Sequence, residues 1–385
     1  MDLVDDEQDV SADRDWDWGG HWAGGERSRL AESMRSPSDL VLEQLHRNDP
    51  SVTCLIVTSL DVSGAFRSGR SPLEGIHYTL PGLQSLFYGL APGQDYFSSG
   101  FYAGWPGPAL CEALRVNTVL STLIIIRCPL DEEQQEILAP VIAGSLTLKA
   151  LGLSKRTLVG GWRPELMKAI FRSRNLIRLS ISEERYDDSW QRIGEELIGN
   201  STLTCLELFS NYLGEIGGVR IGEGLALNST LTFLDLYNNQ LGESAGVKIG
   251  EALAVNSTLT RLELCSNSLG EVGGRGIGEG LAVNSTLTWL DLSENMLGES
   301  AGVKIGEALA ANSTLSLLNL SDNKFGNLTR RSIVGGFAVN PSLTSLCLPG
   351  VERQTRSFQL RNQHNLQIKS KSVSLFHLLL PVLVD

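Results

Sequence analysis

Residues 228–255 read NSTLTFLDLYNNQLGESAGVKIGEALAV, and the same text returns, lightly edited, at 200–227 and at 256–283. Asn-Ser-Thr-Leu opens at Asn200, Asn228, Asn256, Asn284 and Asn312, and Asn340 opens the variant NPSL. Each copy carries one apolar frame: Leu231, Leu234, Leu236, Asn239 and Leu241 here, Leu203, Leu206, Leu208, Asn211 and Leu213 before it, Leu315, Leu318, Leu320, Asn323 and Phe325 near the end. Upstream the frame loosens to Leu176/Leu179/Ile181, Leu148/Leu151/Leu153 and Leu120/Leu123/Ile125, at the same interval except where Leu203 follows Leu176 one residue early. Leu83/Leu86/Tyr88 and Val52/Leu55/Val57 read as degenerate units, the former cut off from its successor by a Gly, Pro and aromatic-rich stretch at 91–108. The array then holds about 11 units.

One unit explains the fold class. Apolar alternation at Leu206 and Leu208 predicts a short strand with those side chains inward and Cys205, Glu207 and Phe209 outward. The following segment, GEIGGVRIGEGLALN, sets Ile221 and Leu225 on one helical face, and Asn228 is placed to end the helix in the left-handed conformation. Neither element buries its apolar face alone, so neighbours must stack. Helix axes need about 8–10 Å and strands about 4.8 Å, which bends the stack into an α/β solenoid, a horseshoe with a parallel concave sheet and convex helices. The 40 glycines of this 385-residue chain, in excess of ordinary usage, fall on that period: Gly214, Gly218, Gly222 and their successors read as packing residues that admit a neighbouring backbone. Phosphate-cradling spacings, GxGxxG or GxxxxGK with Ser or Thr, do not occur.

This unit resembles the ribonuclease-inhibitor-like subclass of leucine-rich repeats, found in ribonuclease inhibitor, in NOD-like receptors and in the Ran GTPase-activating protein. It is most similar to the NOD-like type. The resemblance is strong over 148–350 and extends from 52. It implies the horseshoe fold and a recognition role; a small-GTPase regulator or a NOD-like sensor fragment is the alternative it offers. With no P-loop, the nucleotide-binding domain of NOD-like receptors is not expected in these residues, and the region before 176 offers no motif onto which a GTPase-activating site maps.

Variation between copies points to the same face. Residues 213–268 match 269–324 at 41 of 56 positions, whereas 213–240 and 241–268 match at 18 of 28, so the duplicated block is a pair of units. The differences gather on strands: Phe233 against Trp289, Tyr237 against Ser293, Arg261 against Leu317, Glu263 against Asn319. Partner recognition produces that pattern, and relaxed constraint on exposed sites produces it too. Stacking aligns Cys205, Phe233, Arg261, Trp289 and Leu317 in one column, Glu207, Asp235, Glu263, Asp291 and Asn319 in the next, and Phe209, Tyr237, Cys265, Ser293 and Ser321 in a third. Arg261 falls between Phe233 and Trp289, within cation–π reach. Candidate partner-binding residues are therefore Phe209, Phe233, Asp235, Tyr237, Arg261, Glu263, Trp289 and Asp291, for a protein partner whose surface could be basic. The Asn211 column and the NST triplets read as buried amides serving backbone groups, not as glycan acceptors.

Other classes are disfavoured. A net charge of −12 argues against nucleic acid. The five histidines lie outside the regular array, and HExxH, GxSxG and metal-ligand spacings are absent, so no catalysis, metal or cofactor is expected. Asp13, Asp15 and Asp17 mimic a calcium loop, but Trp18 holds its glycine position. Six cysteines without CxxC spacing, behind an acidic start unlike a secretory signal, suggest reduced thiols in the cytoplasm. The expected organisation is an acidic, Trp-containing disordered tail at 1–36, an N-terminal cap and degenerate repeats at 37–147, regular repeats at 148–350, and a basic segment with an apolar C-terminal cap at 351–385. The terminal apolar run, about 12 residues, is short of the ~20 that span a bilayer.

Overall fold

Short Leu-centred segments make strands here because each finds its copy in the next repeat at the same height. A computed structural model describes residues 46–50, 54–58, 99–103, 107–126, 130–154, 157–158, 160–182, 184 and 188–351, with 359, 362 and 363, all within the 37–385 unit of the chain. The elements are β1 (Cys54–Thr58), β2 (Ser99–Ala103), α1 (Gly107–Val116), β3 (Thr122–Ile126), α2 (Glu132–Gly144), β4 (Ala150–Ser154), α3 (Pro164–Phe171), β5 (Arg178–Ser182), α4 (Ile193–Gly199), β6 (Cys205–Glu207) and α5 (Gly214–Leu227). There follow β7 (Phe233–Asp235), α6 (Gly242–Val255), β8 (Arg261–Glu263), α7 (Gly270–Val283), β9 (Trp289–Asp291), α8 (Glu299–Ala311), β10 (Leu317–Asn319), α9 (Asn327–Val339) and β11 (Ser345–Cys347). The strands form one 11-stranded parallel sheet with strand–helix alternation, the architecture of a leucine-rich-repeat solenoid.

Register puts Leu123, Leu151, Leu179, Leu206, Leu234, Leu262, Leu290, Leu318 and Leu346 side by side. All are buried in one continuous core that also takes in Ile221, Ile249, Ile277 and Ile305 from the helices. Each fully buried Leu or Ile is worth about 1.5–3 kcal/mol, so the column is the main source of cohesion between repeats.

The N-terminal end departs from the expected order. β1 pairs directly with β3, Leu55 opposite Leu123, and β2 lies on its far side with Gly100 opposite Leu55. The edge strand thus comes from the stretch read as an interruption, where Phe101 and Tyr102 favour extended backbone. The expected unit at Leu83/Leu86/Tyr88, the tail at 1–36, the calcium-like Asp13, Asp15 and Asp17, the start of the expected N-terminal cap at 37–45 and the apolar run at 372–384 lie outside the described residues.

Asparagine behaves differently from the left-handed cap expected of it. Asn228 is extended, with φ −76° and ψ 133°. Its Oδ1 accepts from the backbone N–H of Thr230 and Leu231, while its Nδ2 donates to the carbonyls of Leu197 and Asn200 one repeat earlier. Asn256, Asn284 and Asn312 repeat the pattern. Buried amides whose two hydrogens are donated this way are not available as glycan acceptors in the folded chain. The left-handed residues instead flank the second asparagine column: Ser210 and Tyr212, Asn238 and Gln240, Ser266 and Ser268, Glu294 and Met296, with φ between 52° and 58°. Between them Asn239 accepts from Asn211 N–H and donates to the Leu208 and Leu236 carbonyls, and Asn267 and Asn295 extend the ladder. Tightly turned backbone is held in place by these amides.

Glycines divide into two kinds. Gly214, Gly242 and Gly270 adopt φ of 63°, 72° and 62°, and a Cβ on Gly214 would meet nothing, so its role is conformational and not the packing role expected. Along the helices packing decides: a Cβ on Gly218 would stand 2.5 Å from that of Ala245, and one on Gly246 2.6 Å from Gly273 Cα. Added methyls on Gly250 and Gly280 would overlap the carbonyl oxygens of Gly276 and Gly250. α6 and α7 touch glycine to glycine, which is the paired alternation seen in the sequence. The helices compensate their poor propensity by borrowed caps: Glu215 accepts from Ser244 N–H at 3.0 Å, and Glu271 from Ser300 N–H at 2.9 Å, one repeat on.

Candidate functional site on the outer face of the sheet

Alternation turns every second strand residue away from the helices. In register, Cys205, Phe233, Arg261, Trp289 and Leu317 form one row of that face and Glu207, Asp235, Glu263, Asp291 and Asn319 the next. The ladder runs on past the strands, with Leu208 N–H donating to Asp235 O and Ser210 N–H to Tyr237 O, which holds Phe209 beside Tyr237. All three predicted columns exist.

The face is not uniform. Thr122, Ile124, Ala150, Ser180, Cys205 and Glu207, which belong to it on β3 to β6, are buried. On β7 to β10 the equivalent positions are half-buried, and Arg261 is exposed. Arg178, in the same row on β5, is half-buried too, and the accessible part becomes continuous from β7. Phe209, expected among the contact residues, is buried at 7% exposure, whereas Tyr237 is exposed at 41%.

Arg261 is held from three directions. Its Cζ lies 5.0 Å from the Phe233 ring centroid and 4.2 Å from that of Trp289. Its Nε donates to Glu263 Oε1 at 2.9 Å, and Nη2 donates to the same oxygen. Strand spacing brings the three residues together, since they occupy one row on consecutive strands, and Glu263 fixes the guanidinium. The product is a Phe–Arg–Trp cluster with its cation paired to Glu263, a surface of the amphipathic kind that anchors protein interfaces.

The acidic row is largely answered from within. Glu207 pairs with Arg178 at 3.7 Å and Glu263 with Arg261. Asp291 accepts from Ser293 N–H and Asn319 Nδ2. Asp235 accepts from Tyr237 N–H at 2.8 Å, and among the described residues no cation makes an ion pair with it. Burial, with the Glu263 charge second, pushes its carboxyl up to about 8, and burial likewise raises Glu263 against the opposing pull of Arg261. Desolvation also raises the Cys205 and Cys265 thiols, which makes both poor nucleophiles.

Among the described residues no group of His, Cys, Asp and Glu could hold a metal ion, Cys111, Cys205, Cys265 and Cys347 are free thiols, and no helix is long and apolar enough to cross a membrane.

No protein-family model and no curated protein matches the chain. Solved structures do resemble it. The actin-binding site 2 of leiomodin-1 aligns at 23% identity over 35% of this chain and 82% of its own, with a TM-score of 0.33. An internalin of Listeria monocytogenes aligns at 17% over 66% and 79%, TM-score 0.38. The complex of Rad7 and Elc1 from yeast aligns at 15% over 62% and 65%, TM-score 0.37.

Sequence reasoning missed the residues that extend the amide ladder beyond its motif. Glu184, buried, stands one step before Asn211, accepts from Thr157 and Leu158 N–H and donates its own N–H to Asn211. Asn362 closes the other asparagine column, donating to the Asn340 and Leu343 carbonyls. It follows Asn340 sooner than the repeat period dictates, so no periodic signal reveals it.

Proposed function

We propose that this chain is a non-catalytic protein-recognition scaffold of the ribonuclease-inhibitor-like repeat subclass, working in the cytoplasm, and that it binds its partner on the concave sheet face over β7 to β10. The Phe233–Arg261–Trp289 stack carries this reading: two large rings and a guanidinium, preorganised in register, half accessible, on the face where the duplicated units differ. Tyr237, Asp235, Glu263 and Asp291 complete the contact set, with Phe209 acting as a buried support. Nothing in the geometry favours a small-GTPase regulator or a NOD-like sensor fragment. Affinity capture with the wild type beside a Phe233→Ala/Trp289→Ala variant of unchanged melting temperature tests it, with photo-crosslinkers at Tyr237 and, on the helix side, at Val283. The proposal expects capture to vanish in the variant and crosslinks to form from position 237 only. Capture indifferent to the variant would overturn it.

A further inference from the structure

Asp235 sits at the centre of a three-by-three patch of side chains. Its own strand supplies Phe233 and Tyr237 on either side, β6 and its extension supply Cys205, Glu207 and Phe209, and β8 and its extension supply Arg261, Glu263 and Cys265. Three of those eight neighbours are aromatic and two are carboxylates, while the arginines nearest the patch, Arg178 and Arg261, are committed to Glu207 and Glu263. Aromatic faces and a carboxylate together are the chemistry that receives an ammonium or guanidinium group. From this charge complementarity and the accessible Tyr237 edge, we infer that Asp235, with Phe233 and Tyr237, forms a subsite for a lysine or arginine side chain of the bound protein. The inference rests on the reading of this face given above and goes beyond it by naming the partner's anchoring chemistry and the residue that takes it.

A proton must leave when the cation arrives. Burial opposes the charge on Asp235 most, Glu263 from β8 and then Glu207 from β6 add to it, the Tyr237 N–H and Arg261 from β8 only partly relieve it, and Cys205 and Cys265 stay neutral thiols, so the carboxyl is held protonated well above its ordinary range. The incoming cation binds the carboxylate form, and binding is coupled to release of the Asp235 proton.

A hexalysine peptide with blocked termini is the probe, titrated by calorimetry into the full chain at about 20 mM salt, where the Debye length exceeds the patch. Affinity is expected to climb close to tenfold per pH unit from about 6 to 7.5 and level off above about 8. Asp235→Asn, which keeps the acceptor for Tyr237 N–H, is expected to lose at least tenfold in affinity and flatten the pH profile, whereas Glu279→Gln, exposed on α7 on the helix side, stays within twofold of wild type. Failure of hexalysine to bind, equal binding by Asp235→Asn, or a flat wild-type profile would overturn the inference. If any of these occurs while the Phe233→Ala/Trp289→Ala variant still loses its captured partner, the recognition face stands and only the cation subsite falls.

Discussion

Arg261 Cζ lies 4.2 Å from the centroid of Trp289, its neighbour on the next strand, and closer to that ring than to Phe233 on the other side. The repeat period brings the two side chains together, since Arg261 and Trp289 share one register position, and Glu263 holds the guanidinium in place. Partly exposed cation–π contacts are worth about 0.5–1 kcal/mol. A double-mutant cycle of Arg261→Ala and Trp289→Ala, read by urea unfolding, should return a coupling of that size. Trp289→Leu should remove most of it while keeping the apolar area, and a coupling near zero would mean that the stack is only proximity.

Glycine packing between helices makes a sharper prediction. A methyl on Gly250 would overlap the Gly276 carbonyl oxygen, which belongs to a helix backbone and cannot turn aside. Gly250→Ala should therefore lower stability by about 1–3 kcal/mol despite its better helix propensity. Gly335 in α9 is exposed, and a Cβ there would meet nothing within 4 Å. Gly335→Ala should gain up to about 1 kcal/mol. Opposite shifts in melting temperature for one chemical change are the expected result, and equal shifts would remove the case for close helix approach.

Asp235 sets a pH dependence whose sign is unusual for a carboxylate. Its folded-state pKa of about 8 stands above the unfolded value, so the folded chain holds the proton more tightly. The contribution is complete below the unfolded pKa and is lost as pH rises through about 8. Stability of the wild type should fall between pH 5 and 9 by more than that of Asp235→Asn, whose amide stays neutral throughout, and the variant should be the more stable protein at pH 9. Parallel profiles for the two proteins would show that Asp235 ionises normally.

The sequence made the solenoid legible because periodicity reports stacking directly: Leu206, Leu234, Leu262 and Leu290 could recur at one constant interval only if they met in one core. The Phe233–Arg261–Trp289 row was legible for the same reason. Three things were not. The swap of β1 and β2 depends on pairing between segments with no shared motif, and Gly100 gives no apolar signal at its register position. Burial of Glu207 beside the half-buried Asp235 is a property of surroundings, since both are acids at the same place in the repeat. The conformation of Asn228 was misjudged because asparagine suits both a left-handed cap and an extended residue that bonds through its side chain. Hydrogen bonds to the preceding repeat decide between them, and a single unit read in isolation does not contain those partners.

The amide ladder should be the most sensitive element outside the leucine core. Asn239 accepts from Asn211 N–H at 2.8 Å and donates to Leu208 O at 2.6 Å and Leu236 O at 3.0 Å, all buried. Its removal strands backbone groups of two repeats, and each buried unpaired group costs about 1–3 kcal/mol. Asn239→Ala should therefore lose about 3 kcal/mol or more, and Asn239→Asp nearly as much, because a carboxylate keeps the acceptor but has no hydrogens for the two carbonyls. Asn238, exposed and with φ of 53° in the same loop, provides the control. Asn238→Gly relieves the left-handed backbone and should be neutral or mildly stabilising. Hydrogen exchange should locate the Asn239→Ala damage in the Ser210 to Leu213 and Asn239 to Leu241 loops, with the β10 and β11 end still protected. Protection lost uniformly along the array would instead show that the repeats unfold as one cooperative unit and that the ladder has no local role.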